Sequence, residues 1–340
     1  MKKTLSILFI SFIAFSCSVD PEIKPIITED EIKEVVPEGW PTPIYNFSSN
    51  PLTADGFTLG RFLFYDPILS SDNTISCGSC HQQFAAFANV GHDISHGVNG
   101  LLGTRNTPAI QNVNWLPAFM HDGGINHIEV MPLGPITNPV EMNETMTNVV
   151  AKLSASGKYK QLFTKAYGDD MVNTQRIFKA IAQFMGTMYS YNSKYDKVKS
   201  GDESFTPQEQ SGYTLFVQKC SSCHKEPLFS DYDYRNNGLV AYADSGRAHI
   251  TGNPSDRYKF KTPSLRNIEK TAPYMHDGRF YTLDQCLDHY VSGIVSSPTL
   301  DPLLVGGISL SAQDKSDLIA FLKTLTDTKF LTDPRYSEIH

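Results

Sequence analysis

The chain repeats one module, and this duplication constrains its fold more than any other feature. The 18-residue segment 106–123 matches the segment 261–278 at a constant offset of 155 residues, from Asn106-Thr-Pro against Lys261-Thr-Pro to Met-His-Asp-Gly at both ends. Upstream, the segment 77–81 (Cys-Gly-Ser-Cys-His) matches 220–224 (Cys-Ser-Ser-Cys-His) at an offset of 143 residues. Duplication of one module is the simplest explanation, and it predicts two similar domains.

The two Cys-x-x-Cys-His motifs carry the chemistry, because this spacing is the attachment signature of c-type haem. On one helical turn, two thiols lie close enough to bond the two vinyl groups of a haem, and the histidine that follows reaches the iron as proximal ligand. The sequence therefore predicts two covalently attached haems. The predicted attachment and ligand residues are Cys77, Cys80 and His81 for the first haem, and Cys220, Cys223 and His224 for the second.

Zinc and disulfide bonds are the alternatives for these cysteines. A paired Cys-x-x-Cys zinc site usually separates its halves by about 12–20 residues. Here Cys220 lies 140 positions after Cys80. A disulfide within Cys-x-x-Cys is a strained redox motif, and it leaves the two histidines unexplained. Both alternatives are therefore weaker than haem.

The patterning predicts a mainly α fold, with two cytochrome c-like haem domains, long irregular loops and few short strands. Thr206-Pro-Gln-Glu209 is a capping box with proline at the first helical position. Apolar residues recur at helical spacing from Ile177 to Tyr191, and the segments 148–167 and 311–325 also indicate amphipathic helices. We place the N-terminal haem domain at 46–199 and the C-terminal haem domain at 200–340.

The first residues indicate export. Residues 1–16 have the basic start and short apolar stretch of a lipoprotein signal peptide, and Cys17 is the expected lipidation site, with an ordinary signal peptide as the alternative. Residues 17–45 are rich in Pro, Glu and Ile and are predicted to be an extended tether. We therefore expect a membrane-anchored lipoprotein on the periplasmic side of the cell envelope, attached through its lipid alone.

Charge excludes one class of partner. The net charge is -7, and basic residues are scattered. Nucleic-acid binding needs a clustered Lys/Arg surface, so no nucleic-acid partner is expected.

Four further segments, together with the two haem motifs, resemble the bacterial di-haem cytochrome c peroxidases, a family that includes the MauG-type enzymes. The resemblance covers roughly residues 46–330. Its segments are 103–108 (Gly-Thr-Arg-Asn-Thr-Pro), 134–142 (Gly-Pro-Ile-Thr-Asn-Pro-Val-Glu-Met), 261–267 (Lys-Thr-Pro-Ser-Leu-Arg-Asn) and 272–278 (Ala-Pro-Tyr-Met-His-Asp-Gly).

The resemblance implies different roles for the two haems. The haem of His81 is the peroxidatic one, and the haem of His224 receives electrons from a small c-type cytochrome or copper protein. Glu141 stands at the family's distal acid/base, where a carboxylate can move a proton between the two oxygens of hydrogen peroxide. Family members are commonly dimers, so a homodimer is expected by analogy.

The resemblance also implies one calcium ion between the domains. Its expected ligands are the Asn106 side chain and the carbonyl oxygens of Thr271 and Pro273, which are hard oxygen donors. Ordinary turn residues are the alternative for all three.

Several positions depart from the peroxidase pattern. Tyr290 stands where the peroxidases usually have a methionine ligand to the second haem, and MauG-like members have tyrosine there; a surface tyrosine is the alternative. Met131 replaces the usual distal glutamine. On the loop after the first motif, His96 is a candidate iron ligand and His92 a weaker one, whereas the MauG-like pattern leaves that haem five-coordinate.

His121 stands where the family usually has a tryptophan between the two haems, which weakens a tryptophan hopping route for electrons. The repeat pairs His121 with His276, which is expected to hydrogen-bond a haem propionate. Three functions therefore stay open: peroxide reduction, MauG-like oxidation of a partner protein, and electron transfer without catalysis.

Overall fold

The computed structural model describes residues 27–239 and 243–339. The predicted signal peptide and Cys17 lie outside these residues. Across the two described ranges, no helix is long and apolar enough to cross a bilayer.

The described residues are mainly helical with few short strands, as the sequence predicts. The α-helices are α1 (Ala54–Tyr65), α2 (Cys77–Cys80), α3 (Leu133–Thr137), α4 (Met146–Ala155), α5 (Gly157–Tyr167), α6 (Thr174–Gly186), α7 (Lys194–Ser200), α8 (Pro207–Lys219), α9 (Ala248–Thr251), α10 (Leu283–Asp288), α11 (Ala312–Lys323) and α12 (Thr328–Thr332). Short 3₁₀ helices span Phe47–Ser49, Pro67–Leu69, Gln83–Ala85, Val98–Gly100, Val113–Trp115, Pro254–Asp256, Ile268–Lys270, Pro302–Leu304 and Pro334–Tyr336, and a π-helical turn spans His289–Gly293. Strands β1 (Tyr234–Arg235) and β2 (Phe260–Lys261) pair antiparallel.

Each module is built on two helices that cross at a glycine. In the first module α1 crosses α6, and a Cβ on Gly60 would lie 2.0 Å from the carbonyl oxygen of Ala180. In the second module α8 crosses α11, and a Cβ on Gly212 would lie 1.9 Å from the carbonyl oxygen of Asp317. Only a residue without a Cβ permits so close an approach of two backbones.

The duplication extends to single hydrogen bonds. Asn112 and Asn267, one repeat apart, both adopt a left-handed backbone with φ of 51° and 58°. Asn112 donates its backbone N–H to the carbonyl of Met188, and Asn267 donates to that of Leu325. Each asparagine therefore hydrogen-bonds its loop to the segment directly after the second crossing helix of its module, α6 or α11.

The two modules meet through a reciprocal pair of backbone hydrogen bonds. Asn106 donates its N–H to the carbonyl of His276 over 2.7 Å, and Lys261 donates to the carbonyl of His121 over 2.7 Å. Because 106 pairs with 261 and 121 with 276 in the repeat, the same contact is made twice with the roles exchanged. This is the pattern of a two-fold interface, here within one chain.

The capping box at Thr206 begins α8 as predicted, but two helix predictions were wrong in their bounds. The segment 148–167 is divided between α4 and α5, because the Ser156 hydroxyl accepts from the N–H of Tyr159 and caps a new helix. The apolar pattern from Ile177 continues to Tyr191, whereas α6 ends at Gly186.

Side-chain packing crosses the predicted domain boundaries at both ends of the second module. Tyr195 packs in the core of the second module, with its ring 4.7 Å from that of Phe229, so this module begins before residue 200. At the other end, Phe330 and Tyr336 pack in the core of the first module, and Tyr336 donates its hydroxyl to the carbonyl of Thr187. The C-terminal segment 328–336 therefore returns to the first module.

The predicted tether is packed over its described part, residues 27–45. Ile27 and Ile32 are buried in the first core. Trp40 meets Trp115 edge-on, with ring centroids 5.1 Å apart, and also lies 4.6 Å from the guanidinium of Arg266 in the second module. Because its apolar side chains find partners on both modules, this segment runs along the folded body.

Candidate active site

One cavity of about 1650 Å³ connects the two repeated motifs. A single small-molecule site usually occupies about 300–1,000 Å³. Residues of both Cys-x-x-Cys-His motifs line its wall, together with Glu141 and Tyr290. The cavity therefore has room for more than one large cofactor.

The first motif forms a capped helical turn. Ser76 and Ser79 make a capping box that holds α2, and the N–H of His81 donates to the carbonyl of Cys77 over 2.8 Å. His81 Nδ1 lies 2.6 Å from the carbonyl oxygen of Phe87. A carbonyl can only accept, so Nδ1 carries the proton and Nε2 keeps its lone pair for a metal. Burial lowers the pKa of His81 to about 4, so the ring stays neutral.

The second motif repeats this arrangement at the end of α8. Cys220 accepts at its carbonyl from the N–H of His224 over 3.0 Å, which closes one helical turn. His224 Nδ1 donates to the carbonyl of Phe229 over 3.2 Å, and burial lowers the pKa of this histidine as well. The carbonyl of Pro263 also hydrogen-bonds this ring.

The four motif cysteines form no disulfide bonds within the described residues, and they line the same cavity. Burial raises the pKa of the Cys77 and Cys220 thiols to about 12. Two thiol pairs, two histidines that backbone carbonyls hold and a cavity between them form the donor set that two c-type haems require.

Glu141 lies on the turn after α3, and its exposed side chain lines the cavity. Asn138 Nδ2 donates to Glu141 Oε1 over 2.6 Å. Burial raises the pKa of this carboxyl, whereas the Asn138 hydrogen bond opposes the rise. A carboxyl with a raised pKa beside a cavity is suited to acid/base work near neutral pH.

The loop that carries His96 packs directly on the Glu141 turn. The N–H of Val98 donates to the carbonyl of Glu141 over 2.8 Å, and a Cβ on Gly97 would lie 2.5 Å from the same carbonyl. His96 lines the cavity, with its ring 5.0 Å from that of His92. The glycine therefore allows His96 to share a wall with Glu141.

Tyr290 lines the cavity on the side of the second motif, within the π-helical turn that follows α10. Insertions of this kind occur frequently at functional sites. Burial raises the pKa of Tyr290 to about 12, and a hydrogen bond with Asn237 opposes the rise. This enclosed hydroxyl does not fit the alternative of a surface tyrosine, and Tyr290 as an iron ligand stays a prediction. Met131 also lines the cavity, on the side of Glu141.

His121 and His276 lie at the contact between the modules and line the cavity. His121 Nε2 donates to the carbonyl of Asn106 over 2.8 Å, and burial lowers the pKa of this histidine to about 4. His276 stacks on Phe260 at 3.8 Å between ring centroids. The repeat therefore gives the two histidines matching backbone positions and different side-chain partners.

The three predicted calcium ligands also line the cavity. Asn106 Nδ2 donates to the carbonyl of Asp93 over 2.9 Å, which leaves its Oδ1 as an acceptor. Within the described residues, no backbone N–H donates to the carbonyl oxygens of Thr271 or Pro273. Three hard oxygen atoms without donors fit a calcium ion completed by water.

An ion-pair network at the same contact was missed in the sequence. Arg105 pairs with Asp122 of its own module over 2.6 Å and with Asp244 of the other module over 2.6 Å. Arg105 lies directly before Asn106, at the repeat position of Phe260. An arginine in place of an aromatic residue within the repeat was the available signal.

Comparisons with known proteins show which family the chain resembles. A family model described as di-haem cytochrome c peroxidase matches residues 54–204. The chain is 36% identical to methylamine utilization protein MauG of Methylorubrum extorquens, over 85% of this chain and 82% of that protein. It is 35% identical to cytochrome c551 peroxidase of Nitrosomonas europaea, over 81% of each.

One solved structure is similar throughout. It is a MauG-like protein associated with microbial copper homeostasis, with a TM-score of 0.82 and 34% identity, covering 89% of this chain and 98% of that one. The similarity therefore extends over both modules and their contact.

Proposed function

This chain belongs to the di-haem cytochrome c peroxidase family, and we propose that it reduces hydrogen peroxide to water with electrons from a small c-type cytochrome or copper protein. Membership makes it an oxidoreductase with two c-type haems. The observation that carries the proposal is the carboxyl of Glu141, whose pKa is raised by desolvation, on the wall of the cavity that His81 also lines.

His81 and His224 would hold the two haem irons through Nε2, and a bound haem supplies the redox-active iron at which peroxide reacts. The carbonyls of Phe87 and Phe229 fix both rings by accepting from Nδ1. Such a hydrogen bond orients the ring and makes the other nitrogen a better metal ligand.

Glu141 would act as the general acid/base. Reduction of hydrogen peroxide consumes two electrons and two protons and yields two water molecules. The ionised carboxylate takes the proton from one peroxide oxygen and returns it to the other, which then leaves as water. Asn138 orients this carboxylate through its 2.6 Å hydrogen bond. Since Met131 stands where the family usually has glutamine, Glu141 works with Asn138 as its polar partner.

The test is steady-state turnover of peroxide with reduced cytochrome c. We expect Glu141→Gln to lower kcat by about 10²–10⁴-fold, the usual contribution of a general acid/base. Glu144→Gln is the matched control: this carboxylate is three residues away, pairs with Lys152 over 2.7 Å and does not line the cavity. Full activity of Glu141→Gln would overturn the assigned role.

Oxidation of a partner protein is the second candidate, and Tyr290 favours it. This tyrosine lines the second haem's side of the cavity, as expected for a MauG-like ligand. Mass spectrometry of candidate partner proteins after peroxide treatment tests this: oxidised side chains that depend on the enzyme support it, and unmodified partners with rapid peroxide turnover exclude it.

The periplasmic, lipid-anchored location and the homodimer stay predictions of the sequence. Metabolic labelling with a fatty-acid analogue tests the anchor. Loss of label in Cys17→Ser supports lipidation, and unchanged labelling refutes it.

A further inference from the structure

The duplication supplies each proposed calcium ligand with a counterpart in the other module. At the offset of 155 residues, Thr271 corresponds to Leu116 and Pro273 corresponds to Ala118. Asn106 corresponds to Lys261. A second set of three positions therefore exists across the two-fold contact, with a cationic side chain in place of the asparagine.

The structure brings these counterparts together. Lys261 Nζ donates to the carbonyl of Ala118, the counterpart of the Pro273 carbonyl, over 2.5 Å. The backbone of Lys261 is held by the carbonyl of His121, as the backbone of Asn106 is held by that of His276. In the described residues, no backbone N–H donates to the carbonyl of Leu116, the counterpart of Thr271. The ammonium thus contacts one of the two carbonyl oxygens that correspond to predicted calcium ligands.

The surroundings explain why a cation belongs here. Lys261 lines the cavity at the contact between the modules, and Asp122 is the carboxylate that faces it. Burial lowers the pKa of Lys261 to about 8, so the side chain is still mainly protonated at neutral pH. Leu116 and Ala118 are half-buried, so their carbonyl oxygens are satisfied by a donor or a cation, and a lysine donates three N–H groups.

We propose that the ammonium group of Lys261 occupies a second cation site, which the internal two-fold relates to the calcium site. The fold therefore contains two related cation sites, and the chain binds a metal ion at one of them. The inference rests on the predicted calcium site of Asn106, Thr271 and Pro273. It assigns Lys261 a positioning role: its ammonium holds the loop 116–118 of the first module, as calcium holds the loop 271–273 of the second.

Two substitutions of the intact holoprotein separate the possibilities. Lys261→Asn restores the amide oxygen found at position 106, and we expect calcium measured by mass spectrometry to rise from one ion to two per chain. Lys261→Met is the control of similar length without an oxygen donor, and it should keep one ion. Thermal unfolding with added calcium is the second readout: the melting temperature of Lys261→Asn should keep rising at concentrations that saturate the wild type.

One calcium ion in Lys261→Asn, with the same calcium response as Lys261→Met, overturns the proposal. A wild-type protein without calcium overturns it as well. Neither result affects the proposed peroxidase function, because peroxide turnover and its loss in Glu141→Gln are measured separately.

Discussion

The glycine at each helix crossing gives the sharpest prediction about stability. In Gly60→Ala the new Cβ would lie 2.0 Å from the carbonyl oxygen of Ala180, whereas ordinary contact begins at 3.4 Å. The obstructing atom belongs to the backbone of α6 and cannot rotate away. The two helices must therefore separate by about 1.4 Å, and α1 carries Phe64, whose ring lies 6.4 Å from that of His81.

Two opposing effects determine the change in the free energy of unfolding of Gly60→Ala. Overpacking of a core usually costs about 1–3 kcal/mol, and a backbone obstacle places this site at the upper end. Replacing a helical glycine with alanine returns about 1 kcal/mol of helix propensity. We expect a net loss of about 2 kcal/mol, or about 4–8 °C in melting temperature for a module of this size.

The assay is thermal and urea unfolding of the holoprotein, followed by haem absorbance and circular dichroism. Gly212→Ala should cost about as much, since its Cβ would lie 1.9 Å from the carbonyl of Asp317, but it should disturb the His224 haem first. Gly103→Ala is the control without a close contact, because the nearest atom is 3.8 Å away. A Gly60→Ala protein that melts at or above the wild-type temperature would refute the reasoning.

Two further predictions concern the site. Asn138→Leu removes the hydrogen bond that lowers the pKa of Glu141, so the pKa of this carboxyl should rise further. Because the carboxylate must be ionised to take a proton, the acid limb of the kcat–pH profile should move to higher pH. An acid limb at the wild-type pH contradicts this prediction. Tyr290→Phe should change the electron paramagnetic resonance signal of the second haem. Tyr274→Phe is the control and should leave this signal unchanged, because the Tyr274 hydroxyl donates to the carbonyl of Ile268. Identical spectra for both variants exclude Tyr290 as a ligand.

Much of the fold follows from local patterns. The capping box at Thr206 and the helical turn at Cys77 are determined by residues within one turn of each other, so they can be predicted. The helix break at Ser156 is also local, because serine favours caps over helix interiors, so the sequence carried a signal for it. The return of Tyr336 to the first module depends on a contact between distant segments, and no local pattern predicts it.

The site divides in the same way. The haem attachment residues and Glu141 stand in motifs that the sequence displays directly. Asn138 lies in one of these motifs, yet its role appears only when the turn brings its amide within 2.6 Å of the carboxylate. Arg105 likewise acquires its role from Asp244, which lies in the other module.

The sequence by itself determined the duplication, the two covalent attachment sites and the family, because each depends on the identity and spacing of neighbouring residues. Only the tertiary structure decided which groups are buried beside the cavity, and therefore why the pKa of Glu141 rises while that of Lys261 falls. Desolvation and hydrogen bonding depend on distances between segments far apart in the chain. The repeat showed that Lys261 corresponds to Asn106, and the fold showed that its ammonium reaches the carbonyl of Ala118.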